Sequence, residues 1–118
     1  MSEDPKRCDR ADLRPQLDLL IGRLFLAQPT PETRPKLQVS AWCPRCRGCH
    51  LHRWPDPPVD RGGAIEVAGR CREGPRDYYV GLDSTQAKHN DHIIRLADAA
   101  FAAWDRRQAA REAQCNGH

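Results

Sequence analysis

The chain has 118 residues, 39% of them hydrophobic and 30% charged, which supports one domain and excludes two independent cores. Leu, Ile, Val and Phe together fill 20 positions, below the roughly 20% at which an unaided core becomes doubtful, so a second source of cohesion is expected. The net charge is +3, with 16 Arg and three Lys against 16 acidic residues, and the absence of any run of about 18 apolar residues excludes a membrane-spanning helix.

The sequence predicts a single α+β domain over 1–118, a small antiparallel zinc-ribbon-like sheet flanked by two amphipathic helices. The first helix is expected over 9–27, where Asp12 can cap and Leu13, Leu17, Leu20, Ile21 and Leu24 follow a helical rhythm. The same stretch makes a poor signal peptide, because Asp18 and Arg23 interrupt it and no small-residue cleavage site follows. A cytoplasmic location is expected. Residues 28–36, with Pro29, Pro31 and Pro35, read as a stiff connector. Four strand-like runs then follow within 37–82: Leu37 to Trp42, His50 to Trp54, Ile65 to Arg70 and Tyr78 to Leu82. Pro and Gly mark a loop between the second and third. The Ala-rich stretch 84–114, with Ile93, Ala97, Phe101 and Trp104 on one stripe, predicts the second helix. His89 to His92 reads as its solvated start, because no carboxylate set surrounds the two imidazoles.

Four of the six cysteines, Cys43, Cys46, Cys49 and Cys71, lie within 29 residues, and a reducing cytosol favours metal over disulfides for them. Cys43-Pro44-Arg45-Cys46 is a C-x2-C knuckle that lets two thiolates reach one ion, and a tetrahedral zinc needs two further donors from a second element. His50 and His52 share a face if they lie on a strand, so either imidazole can serve; Cys71 supplies the fourth donor. The expected site is Cys3His. Cys43, Cys46 and Cys49 with Cys71 or Cys8 also match an iron–sulfur spacing, and Cys46 to His50 matches a haem-attachment pattern that requires export. Zinc is favoured, because mixed Cys/His sets suit it better than a cluster. The zinc is expected to be structural. A deaminase pattern is absent, as are a phosphate-binding Gly-rich loop and a serine nucleophile elbow, so no enzyme is expected.

The run C-P-x-C-x3-H-x-H, followed by Val67-Ala68-Gly69-Arg70-Cys71 and then Tyr79-Val80, resembles small zinc-finger proteins of actinobacterial phages, plasmids and integrated elements. The resemblance covers roughly residues 42–82 and implies a zinc-binding module in a mobile-element setting. Those proteins often carry His where this chain has Arg70, which makes His50 or His52 the more needed ligand. Around the knuckle, Arg45, Arg47 and Arg53, with Arg70, Arg72 and Arg76 near the last ligand, would form one basic neighbourhood suited to phosphates. Nucleic-acid binding, to DNA before RNA, is therefore the expected function. The competing expectation is a protein-interaction adaptor, or an inhibitor of a host protein, that presents the C-terminal helix to a partner or second copy. Trp42 is expected to fill the core rather than stack on bases.

Overall fold

A computed structural model of the chain describes residues 6–9, 17–55 and 63–116. Six strands, β1 (Lys6–Asp9), β2 (Leu19–Ala27), β3 (Lys36–Cys43), β4 (Gly48–Arg53), β5 (Gly63–Cys71) and β6 (Gly74–Leu82), precede one long helix, α1 (Ala87–Asn116). They form one sheet in the order β1-β5-β6-β2-β3-β4. The β2–β3–β4 meander and the β1–β5–β6 group meet where β2 runs parallel to β6. The sheet is thus mixed and larger than the expected antiparallel ribbon.

Alternation along each strand sets the faces. Leu20, Gly22 and Leu24 of β2 are buried, as are Leu37, Val39, Ala41 and Cys43 of β3, while their neighbours Leu19, Ile21, Arg23 and Trp42 are exposed. On β5 the inward set is Ile65, Val67, Gly69 and Cys71, and β6 adds Tyr78, Val80 and Leu82. Each fully buried Leu contributes about 2 kcal/mol. Two turns shape the ends of the hairpins. Residues 44–47 link β3 to β4 with Arg47 at φ 50, and Arg72-Glu73 links β5 to β6 with Gly74 at φ 122, the left-handed region where glycine has no steric penalty.

The expected N-terminal helix over 9–27 is corrected for residues 19–27, which are a strand; residues 10–16, including Asp12, lie outside the described residues. Leu20 and Leu24 satisfy a helical rhythm, yet together with Gly22 they also satisfy an alternating one, and the strand partners on both sides select the latter. At Gly22 an added Cβ would run into the Ser40 carbonyl of β3, so the small residue permits the close strand pairing. The stretch 28–35 is the connector inside the β2–β3 hairpin. Residues 56–62 of the expected loop lie outside the described residues.

Helix α1, about 45 Å long at 1.5 Å per residue, follows a 3-10 turn over Ser84–Gln86 that Asp83 caps through the Thr85 N–H. Ala97 is buried, and Ile93, Ile94 and Phe101 pack against the core. The helix also covers the part of β2 beyond the end of β6. There the Leu24 N–H donates to Asn90 Oδ1 at 3.0 Å, and His89 Nε2 lies 2.8 Å from the Leu24 carbonyl. Asn90 is fully buried. These side chains replace a missing strand, because an uncovered edge leaves buried backbone groups without partners. His89 and Asn90 are therefore edge-capping residues and not a solvated helix start.

Candidate metal centre

The two hairpins lie far apart in strand order, with β2 and β6 between β3 and β5, yet the curl of the sheet brings their turns together on the inner face. Cys43 ends β3, Cys46 sits in the following turn, His50 lies on β4 and Cys71 ends β5. Their donor atoms all lie within 4.8 Å of one another. Cys43 Sγ is 3.8 Å from Cys71 Sγ, and Cys71 Sγ is 3.7 Å from His50 Nε2. Sulfur ligands on a tetrahedral zinc with bonds of about 2.3 Å stand about 3.8 Å apart, so these separations fit a shared ion. The four residues are close enough to hold a metal ion.

The fourth donor is His50. His52 faces the same side, as the cross-strand pairs Ala41–His50 and Val39–His52 require, but it hydrogen-bonds the Tyr78 hydroxyl. It is not one of the four clustered donors, which corrects the expectation that either imidazole could fill the site. Burial, and then the neighbouring His50, lower the His52 pKa. Tyr78 reaches His52 by crossing Gly69, where any Cβ would collide with its ring. Burial, followed by the charges of Cys71 and Cys43, pushes the Tyr78 hydroxyl up to about 12, so it stays neutral.

Cys49 is exposed, because alternation on β4 that turns His50 inward turns Cys49 outward. The C-x2-C-x2-C set of an iron–sulfur site and the Cys46–Cys49 pair of a haem attachment therefore do not converge. Cys115 is also exposed, and the side chain of Cys8 lies outside those described.

Arg76, expected only as part of a basic neighbourhood near the last ligand, lies against the sulfurs themselves. Its Nε donates to Cys71 Sγ at 2.9 Å, one terminal nitrogen reaches Cys43 Sγ at 3.5 Å, and the other holds Asp18 Oδ2 at 2.6 Å. The signal was available in the hairpin register: pairing of Gly69 with Arg76 puts the arginine on the face that carries Cys71. The hydrogen bond from Arg76 holds the Asp18 carboxyl below the usual carboxylate range.

The sulfurs respond to this crowding. Burial pushes the Cys43 thiol up, but the backbone N–H of Cys46, His50, Arg76 and the backbone N–H of Arg45 outweigh it and bring it down to about 6. At Cys46 the Arg72 N–H, 3.2 Å away, acts downward, while burial and the nearby Cys71 and Cys43 sulfurs outweigh it and raise the thiol. The Cys43 thiolate forms readily and the Cys46 thiol resists a second negative charge, the condition that a divalent cation relieves.

The remaining arginines do not form a single cluster. Arg45 and Arg47 are exposed on the knuckle turn, Arg45 pairing with Asp18 at 3.5 Å, and Arg72 is exposed on the facing turn. Arg70 points outward from β5, and Arg53 lies at the end of β4 away from the knuckle, paired in register with Gln38. Trp42 is 53% exposed on the outer face, whereas Trp54 is fully buried, so the core tryptophan is Trp54 and the expectation for Trp42 is corrected. Among the described residues no helix is long and apolar enough to cross a membrane. Comparison with protein-family models, curated proteins and solved structures gives no match for this chain.

Proposed function

We propose that Cys43, Cys46, His50 and Cys71 hold a structural zinc ion that clasps the curled sheet, and that the module so stabilised binds nucleic acid, DNA before RNA. The convergence of three sulfurs and one imidazole from two hairpins carries the zinc reading. Four protein donors complete a tetrahedral shell, which suits a structural rather than a catalytic ion. Zinc with three thiolates and a neutral imidazole is one negative charge in excess, and the Arg76 guanidinium supplies the opposite charge against the sulfurs.

The nucleic-acid reading draws on where the charge sits. Residues 17–55 hold six Lys and Arg against two Asp and Glu, whereas residues 63–116 hold eight against eight. The surplus therefore belongs to the β2–β4 part of the sheet, the part that carries the knuckle, and it suits a phosphate backbone. The resemblance of residues 42–82 to zinc-finger proteins of phages and mobile elements suggests the setting. The test pairs elemental analysis of protein purified without added metal with a salt titration of DNA binding. One zinc per chain, and an affinity that falls steeply between about 50 and 200 mM salt, are expected. Absence of zinc or of low-salt DNA binding would overturn the corresponding half of the proposal.

A second reading, an adaptor or inhibitor acting on another protein with zinc purely structural, draws on the far end of α1. No described side chain over residues 102–115 is buried. The stripe proposed for a partner is otherwise used at home, since Ile93, Ala97 and Phe101 pack on the chain's own core.

A further inference from the structure

We infer that the outer face of the β2–β4 meander is a stacking platform for single-stranded nucleic acid, with Trp42 as its centre; this rests on the nucleic-acid reading above and specifies its ligand and surface. Alternation that sends Ala41 and Cys43 to the core sends Trp42 outward, and the indole is left 53% exposed. Two shallow grooves flank it, one shared with Leu19, Ile21 and Pro44 and the other with Ile21, Phe25 and Cys49, so the ring is approachable from both sides. Leu51, at 61% exposure, lies diagonally across on β4 and extends the apolar surface. Unpartnered apolar surface of this extent on so small a sheet calls for an occupant.

The surrounding charge decides which occupant. Arg23 lies in the row beside Trp42, paired in register with Ser40, and Arg45 and Arg47 rise from the knuckle turn at the end of the same strand. Of the carboxylates that line the grooves, Asp18 is ion-paired with Arg76 and Arg45, whereas Asp83, which accepts from Thr85, keeps its charge and shares the second groove with Arg23. An exposed aromatic amid guanidinium groups matches bases and phosphates in alternation, since every base offers a π-face and every linkage a negative charge. In a duplex those π-faces are already stacked on one another. A sheet surface can reach them only in an unpaired strand.

The test compares a dT 12-mer with a random duplex of equal length at low salt. In a Trp104→Phe background, quenching of tryptophan emission reports Trp42, because Trp54 is fully buried. Quenching by the 12-mer, tighter binding to it than to duplex, and a loss of about tenfold or more in Trp42→Ala are expected. Trp42→Phe should lose less. Both variants should keep the parent's metal content and circular dichroism, because the ring lies outside the core. Duplex binding as tight as single-strand binding, or an unchanged affinity in folded Trp42→Ala, would overturn the platform and leave general nucleic-acid binding intact. No binding to either form would overturn both. Self-association that Trp42→Ala abolishes without changing DNA affinity would assign the face to a second copy of the chain and overturn the inference.

Discussion

The two faces of the β3–β4 hairpin are built from interleaved residues and do opposite things. Facing inward are Ala41, Cys43, His50 and His52, all engaged with the core or the metal centre; facing outward are Ser40, Trp42, Cys49 and Leu51, three of them exposed. A single step along the chain separates a member of the four-donor cluster from a residue open to solvent, at Trp42-Cys43 and again at Cys49-His50. The difference teaches that chemical type alone does not assign a role here. Cys49 and Cys43 are the same amino acid, and strand phase decides which one serves the centre.

The largest break of the comparison is expected from Cys71→Ser. It removes a donor from the second hairpin, and structural zinc in small domains supplies about 10–16 kcal/mol, comparable to or above the whole stability of a domain, about 5–15 kcal/mol. Loss of bound metal and of a cooperative thermal transition is predicted, read by elemental analysis and calorimetry; chelation of the parent should reproduce it. Next comes Arg76→Met, which keeps the stem and deletes the charge against the sulfurs. Metal affinity is expected to drop about 10–100-fold in competition with a chromophoric chelator, the usual range for groups that orient or compensate ligands.

A smaller effect belongs to the interior away from the metal. Asn90→Ala strips the Leu24 N–H of its partner in a buried place and is expected to destabilise by about 1–3 kcal/mol in urea unfolding, with metal content unchanged. Smallest is Cys49→Ser on the outer face, expected to stay within about 0.5 kcal/mol of the parent and to retain the metal. A Cys49→Ser variant that lost the metal would break the two-face division outright.

The four-donor cluster was legible in the sequence because its members are rare residue types at telling spacings, and because strand phase puts His50 and His52 on one face. What separated the two histidines was not legible. Tyr78 claims His52 from across the curl, and that depends on Gly69 making room for a ring 26 residues further along the chain than the imidazole. The strands of 37–82 and the C-terminal helix were legible from period and breakers. The β2 strand was misread because Leu20, Ile21 and Leu24 fit a helical stripe until β6 and β3 pair on either side of them. The contact of Arg76 with the sulfurs was missed for a related reason: a guanidinium near cysteines reads as surface until the β5–β6 register turns it inward.

The parallel pairing of β2 with β6 has a consequence for how the chain assembles. Leu19 meets Tyr79 and Gly22 meets Leu82, partners 60 residues apart, so the central ladder cannot form until residues 79–82 have been made and have left the ribosome. Until then the emerging knuckle presents Cys43, Cys46 and His50 without Cys71. A nascent chain at that stage is an open three-donor claw, exposed to oxidants and rival cations, and translation speed between codons 50 and 71 sets how long it stays that way.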